Sequence, residues 1–149
     1  MLTRKGKYGL KALVHLAYLP TGQLAFVNDI AKNNNIPKKF LDAILGELRN
    51  AGFVQSRKGK DGGYRLARPA DEIRVGHVVR VLDGPLAPIP CASRTRYEAC
   101  EDCNEATCQV RHMMLEVRHA IAEVLDNRTL SEMRDSTVEE LSEALKYQA

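Results

Sequence analysis

The chain has 149 residues, 44% of them hydrophobic and 28% charged, which is the composition of a globular protein that can fold without disulfides. Its net charge of +3 is uneven, because residues 1–80 carry 15 Lys/Arg and 6 Asp/Glu whereas residues 81–149 carry 7 and 13. The basic half indicates a polyanionic partner, with a merely solvated basic face as the alternative.

Three helices are predicted in the first half of the chain. An amphipathic pattern covers residues 4–19 and ends before Pro20, and a second helix is predicted over residues 27–34. Pro37 suits the first position of a third helix, which Gly52 ends. The buried stripe predicted for this third helix consists of Leu41, Ile44, Leu45 and Leu48.

The second and third helices have the spacing of a helix-turn-helix. Ala31 provides a small residue where the two helices cross, and Asn35 lies where the turn needs a positive φ, which asparagine tolerates. In such a motif the start of the third helix meets base edges and its lysines meet phosphates. The candidate DNA-binding residues of this helix are Lys38, Lys39, Phe40 and Asp42.

A basic, glycine-rich turn follows the third helix. Residues 53–57 and 64–66 are predicted strands around it, and a hairpin directly after a helix-turn-helix is a wing. Its tip can reach the DNA backbone or the minor groove, whereas a plain hairpin with solvated charges is the alternative. The candidate DNA-binding residues of the wing are Arg57, Lys58, Lys60, Gly62, Gly63 and Tyr64. The glycines match no nucleotide-binding fingerprint.

The second half of the chain contains a long connection between two predicted helices, over about 75–82 and 109–125. The connection is Pro-rich, charged and aperiodic. Two capping boxes, beginning at Thr129 and Thr137, predict two short helices at the end. The helix over 109–125 has an apolar seam formed by Val110, Met114, Val117, Ile121 and Val124, which could pack on its own domain or on a second copy of the chain.

All four cysteines lie within 18 consecutive residues of this connection: Cys91, Cys100, Cys103 and Cys108. The basic start of the chain imitates a signal peptide, but Lys11 and His15 interrupt the apolar run, and we expect a cytoplasmic protein with reduced thiols. Four thiolates suit a two-iron or four-iron cluster, and equally a tetrahedral zinc ion. A thiol redox switch without metal is a further alternative.

Several short motifs recur in one known family. They are Leu2-Thr3-x-Lys5-Gly6-x-Tyr8, Asp29-Ile30-Ala31, Ile36-Pro37 with Phe40-Leu41, the wing Lys58-Gly59-x-x-Gly62-Gly63-Tyr64-x-Leu66, the cysteine set, and Leu125-x-x-x-Thr129-Leu130. Together they make the chain similar to the IscR/NsrR-type winged-helix transcriptional regulators of bacteria. The resemblance covers nearly the whole chain.

The resemblance implies a homodimer in which the long helix forms the interface and the preceding loop holds an iron–sulfur cluster. Cys91 and Cys108 match the first and last of the family's usual three cysteines, and either Cys100 or Cys103 matches the middle one. This chain departs from the pattern by its fourth cysteine. It also has Arg111 where the best-known member has a histidine ligand, with His112 one residue away.

These observations predict a mainly α fold with a β-hairpin wing, divided into a winged helix-turn-helix domain (1–82), a cysteine-rich cluster-binding loop (83–108) and a dimerisation region (109–149). The predicted function is that of a DNA-binding repressor whose affinity for a double-stranded operator depends on a cluster that senses iron, redox or nitric oxide status. A zinc-stabilised regulator and a cluster-free thiol switch are the alternatives. No membrane partner and no catalytic constellation is expected.

Overall fold

The computed structural model describes residues 2–147, apart from the side chains of Ala144 and Tyr147. These residues form a mostly helical fold with one antiparallel hairpin, as predicted. The helices are α1 (Arg4–Ala17), α2 (Val27–Asn34), α3 (Lys38–Asn50), α4 (Val75–Asp83), α5 (Gln109–Asn127), α6 (Leu130–Arg134) and α7 (Val138–Ala144). The strands are β1 (Val54–Arg57) and β2 (Gly63–Leu66), and short 3-10 segments cover Ala70–Glu72, Pro90–Ala92 and Leu145–Tyr147.

The hydrophobic core lies around α1. Leu13 of α1 is fully buried and packs with the apolar stripe of α3 and with Val78 of α4. The four residues predicted for the α3 stripe are all buried. Each such leucine contributes roughly 1.5–3 kcal/mol through burial, so this contact fixes how α3 lies on the domain.

The turn between α2 and α3 has the predicted left-handed residue. Asn35 has φ 53° and ψ 49°, and its backbone N–H closes the end of α2. Pro37 is the cap before α3 rather than its first residue, and its carbonyl accepts a hydrogen bond from Leu41 N at 3.1 Å. The helix therefore starts one residue later than predicted.

The hairpin is bonded to the rest of the domain by its second strand. Its register pairs Val54 with Leu66 and Arg57 with Gly63. Tyr64 also forms a two-hydrogen-bond bridge with Ala25, at 2.8 and 2.9 Å. The segment that leads into α2 thus acts as a short third strand beside the hairpin.

The remaining helices follow the predictions with small shifts at their ends. Helix α1 stops at Ala17, two residues early, because a residue before proline disfavours the helical conformation. Helix α5 continues to Asn127, and both capping boxes form as predicted, at Thr129 and Thr137. Among the described residues, no helix is both long and apolar enough to cross a bilayer.

Candidate DNA-binding surface and cysteine centre

The outer side of α3 is the first part of the candidate DNA-binding surface. Lys38, Lys39 and Asp42 are exposed there, and Phe40 is 60% exposed. The Lys38 ammonium lies 3.3 Å from the Asp42 carboxylate, one turn away on the same helix. Cations suited to phosphates therefore stand next to a carboxylate that can accept a hydrogen bond from a cytosine amino group.

The wing lies beside this helix, with a cleft between them. Arg57, Lys58 and Lys60 are exposed on the hairpin. The cleft has a volume of about 380 Å³, and its lining includes Lys38, Arg49, Arg57 and Lys58 together with the start of α2. A basic groove of this kind suits a polyanionic backbone.

The last three wing residues predicted from sequence shape the hairpin from inside. A Cβ atom on Gly62 would lie 2.1 Å from the Arg57 carbonyl oxygen, and one on Gly63 would lie 2.4 Å from the Ala25 carbonyl oxygen. Tyr64 is half-buried against the core. Their position supports the shape of the wing, whereas Lys58 and Lys60 form its exposed tip.

Two of the four cysteines, Cys100 and Cys103, lie close together, and all four are free thiols. Cys100 Sγ donates a hydrogen bond to Asp102 Oδ1 at 2.9 Å, and these two groups and the Cys103 sulfur lie within 4.8 Å of one another. The pKa of the exposed Cys103 is raised to about 12, with the neighbouring Cys100 thiol as the largest cause, followed by desolvation and then by the Cys108 thiol. The donor set suits a thiophilic metal centre.

Cys108 caps the N-terminus of α5. Its sulfur accepts a hydrogen bond from the backbone N–H of Arg111 at 3.4 Å. This hydrogen bond lowers the pKa of the Cys108 thiol, as expected for a sulfur at a helix N-terminus. The thiolate form, which is the metal ligand and the nucleophile, is therefore formed more readily at Cys108 than at an ordinary cysteine.

Cys91 is held separately, in the short segment Pro90–Ala92, and its side chain is buried. Its backbone carbonyl accepts a hydrogen bond from Arg111 Nε at 3.0 Å, and the next carbonyl, of Ala92, accepts one from Arg118 at 3.0 Å. Arg111 thus contacts both the Cys91 and the Cys108 segments. Helix α5 holds the Cys91 end of the cysteine region through two arginine side chains and the Cys108 end through the backbone of its first turn.

The comparisons with known proteins agree with this architecture. Residues 2–136 match the sequence model of Rrf2, described as an iron-dependent transcriptional regulator. The chain belongs to the Rrf2 family of transcriptional regulators. Members of this family bind DNA and are not enzymes, so the predicted family, DNA-binding function and lack of catalytic activity are confirmed.

Three known proteins are similar to this Rrf2 chain in sequence or in structure. An rrf2-like HTH-type transcriptional regulator of Rhodobacter capsulatus is 41% identical over 137 residues, covering 89% of this chain and 91% of the relative. The structure of CymR, the global cysteine regulator of B. subtilis, has a TM-score of 0.76 at 34% identity and covers 92% and 98% of the two chains. T. potens IscR has a TM-score of 0.71 at 28% identity, with 100% and 91% covered.

Two residues that hold the cysteine region, Glu105 and Tyr97, were not identified from sequence. Glu105 accepts hydrogen bonds from the Cys100 backbone N–H at 2.8 Å and from the Tyr97 hydroxyl, and its carboxylate lies 4.0 Å from Arg111. The Tyr97 hydrogen bond is the main cause that lowers the pKa of Glu105. An acidic residue in an acidic, aperiodic loop carries no sequence signal that separates it from solvated neighbours.

Helix α5 has two apolar sides. The seam predicted from sequence combined residues that lie on both of them. Met114 and Ile121 are half-buried, and Ile121 packs against the core of its own chain. Five residues instead face outward in the structure, at alternating spacings of three and four: Val110, Met113, Val117, Ala120 and Val124. Val110 and Val124 are 58% and 61% exposed, so this outer stripe is available to a partner. His112 is also exposed and lies 3.1 Å from Glu116.

Proposed function

We propose that this Rrf2 regulator is a cytoplasmic, homodimeric repressor whose operator affinity is set by an iron–sulfur cluster. The cluster would be held by Cys91, Cys100, Cys103 and Cys108, and it would report iron, redox or nitric oxide status. The donor set fits either a two-iron or a four-iron cluster, since both take four thiolates. Bound there, the cluster would supply the redox or ligand-exchange chemistry of the signal.

The observation that carries this proposal is the convergence of the cysteine region on the start of α5. Cys108 caps that helix, and Arg111 one turn later binds the Cys91 segment. A change in the sulfur ligands therefore acts directly on the first turn of α5. The same helix carries the outer apolar stripe from Val110 to Val124.

The outer stripe supports the homodimer. Alternating spacings of three and four place its members on one side of a helix, as in pairs of helices that pack along a seam. An exposed apolar side of this length usually marks an interaction surface. A second α5 presents the same stripe, so a two-fold contact between copies would bury both.

Two winged domains in such a dimer would bind double-stranded DNA through α3 and the wing. The proposed contacts are made by Lys38, Lys39, Phe40 and Asp42 on α3 and by Arg57, Lys58 and Lys60 on the wing, with Gly62, Gly63 and Tyr64 shaping it. Helix-turn-helix dimers bind half-sites about 34–36 Å apart, or a multiple of that distance. Changing the separation of the two domains would therefore change operator affinity.

Polar contacts connect α5 to the DNA-binding domain. Asp126 near the end of α5 forms two hydrogen bonds with Arg80 of α4, at 2.6 and 2.9 Å. Asp83 at the end of α4 accepts hydrogen bonds from the backbone N–H of Thr3, at 2.9 Å, and from its hydroxyl. These contacts offer a direct route by which movement of α5 would displace the whole domain.

The deciding experiment purifies the protein without oxygen and measures iron, zinc and acid-labile sulfide per chain. We expect iron and sulfide in comparable amounts, a visible absorbance band, and operator affinity that changes on exposure to oxygen. Serine replacement of all four cysteines should abolish the band and the oxygen response. Colourless protein with one zinc per chain, or unchanged oxygen dependence in the serine variant, would remove the cluster from the account.

A thiol redox switch is the second candidate. The sulfurs of Cys100 and Cys103 lie within 4.8 Å of each other, and Cys108 has a lowered pKa. In addition, Staphylococcus aureus CymR, a structural neighbour at 31% identity, has been solved in an oxidized form. This candidate predicts metal-free protein in which one disulfide forms on mild oxidation, which mass analysis of alkylated peptides would detect.

A further inference from the structure

One glycine of this chain has no explanation within its own fold. Five of the ten glycines have φ between 84° and 137°, where other residues are strained: Gly22, Gly52, Gly59, Gly63 and Gly84. At four more, an added Cβ atom would approach another atom within 2.2 Å: Gly6, Gly9, Gly62 and Gly76. Gly46 belongs to neither group.

Gly46 lies in the middle of α3, where glycine is unfavourable. Its φ is not positive, and a Cβ atom built there would meet no atom of the described residues within 4 Å. In a helix interior, glycine is less favourable than alanine, because a glycine residue loses more backbone freedom when the chain folds. The fold alone would therefore favour alanine at this position.

The position of Gly46 indicates what the missing side chain makes room for. At about 3.6 residues per turn, Gly46 stands directly above Asp42 and Ala43 and below Arg49 and Asn50, all of which are exposed. The buried stripe of α3 lies on the opposite side. Its neighbour Glu47 turns back toward α1, where it pairs with Lys5 at 2.9 Å.

We infer that Gly46 is a clearance residue, the point at which the backbone of α3 approaches the bound duplex too closely for a side chain. The inference rests on the proposed DNA-binding surface. It adds Gly46 to that surface as a residue whose lack of a side chain makes room for the DNA. Glycine allows such close approach of a backbone to its ligand. In the bound state, the space beside the Gly46 Cα would be occupied by the wall of the groove.

The test compares Gly46→Ala and Gly46→Leu with the parental protein. The probe is a duplex selected by the parental protein from a randomised library, and binding is measured by fluorescence anisotropy. Gly46→Ala should raise the melting temperature by about 2–4 °C, since alanine is the better helix former. It should nevertheless weaken binding about tenfold or more, and Gly46→Leu should weaken it further.

A higher melting temperature together with weaker DNA binding distinguishes a clearance role of Gly46 from a structural role. Ser142→Ala on the exposed side of α7 is the matched control, because it also raises helix propensity but should leave DNA affinity unchanged. Parental affinity in Gly46→Ala would overturn the inference, as would a lowered melting temperature.

A second control distinguishes failure of the clearance role of Gly46 from failure of the proposed DNA-binding surface as a whole. Replacing Lys38 and Lys39 together by alanine should reduce the slope of log K against log salt by about two. A reduced slope together with full affinity in Gly46→Ala would refute only the clearance role. An unchanged slope would remove α3 from the duplex, and both proposals would fail.

Discussion

The DNA-binding domain and the cysteine region of this Rrf2 regulator are held together in different ways. The domain is built on buried aliphatic side chains that pack around α1. The region from residue 84 to residue 108 has one short 3-10 segment, and it is held by hydrogen bonds that Arg111 and Arg118 donate and by those that Glu105 accepts. Burial thus accounts for most of the first region. The second has a shorter buried part, at Leu86 and residues 91–93, and otherwise depends on a few charged groups that a change at the sulfurs can disturb.

The largest effect is expected when a buried leucine of the DNA-binding domain is removed. An exposed leucine outside both regions provides the control. Leu41 in α3 is fully buried, and Leu41→Ala should lower the free energy of unfolding by about 2–5 kcal/mol, as measured by urea denaturation. Leu141 on α7 is 61% exposed, and Leu141→Ala should change it by less than about 0.5 kcal/mol. Equal losses in the two variants would contradict the assignment of the core.

A smaller effect is expected when the polar contacts of the cysteine region are cut. Glu105→Ala removes two hydrogen bonds, from the Cys100 backbone and the Tyr97 hydroxyl, and the carboxylate beside Arg111. We expect alkylation of the buried Cys91 to become about tenfold faster, while global stability changes little. The measurement is mass analysis after timed iodoacetamide treatment of metal-free protein.

Glu101→Ala provides the control for this change, because Glu101 is an exposed acidic residue of the same loop. It should leave the alkylation rate of Cys91 near the parental value. If both variants accelerate alkylation equally, the loop responds to its net charge, and the specific contacts of Glu105 do not hold it.

The smallest effect is expected at the junction of the two regions, where Arg80 lowers the pKa of Asp126. Because the folded-state pKa is lowered, this stabilisation is present above the ordinary carboxyl pKa and is lost as the pH falls through the lowered value. Both side chains are about one-third exposed, at 32% and 37%, so Asp126→Asn should cost only about 0.5–1 kcal/mol at pH 7.

Urea denaturation of the parent and Asp126→Asn at pH 7, and again in acid well below the ordinary aspartate pKa of about 3.9, would check this pH dependence. The difference between them should shrink toward zero in acid. A difference that persists there would show that the side chain acts through packing beside Gly76, where an added Cβ would lie 1.9 Å from the Asp126 carboxylate, and not through its charge.

The same physical difference explains what could be predicted from sequence. Burial imposes a helical period, so the stripe from Leu41 to Leu48 predicted α3, and the αL preference of Asn35 predicted the turn before it. The hydrogen bonds of Glu105 have no period, and no sequence pattern pointed to them. Helix α5 carries two apolar stripes, and period alone could not separate the one that packs inward from the one that faces solvent.

The bridge between Tyr64 and Ala25 restricts how a single protomer can adapt. It joins the hairpin to the segment entering α2 by two backbone hydrogen bonds, so it restricts movement of the wing relative to the helix-turn-helix. If a duplex contacts both the wing and α3 as proposed, it must offer neighbouring grooves of matching width, and stiff sequences with the wrong width would be rejected at base pairs that no side chain touches. Selectivity of this kind would arise from the geometry of one chain alone.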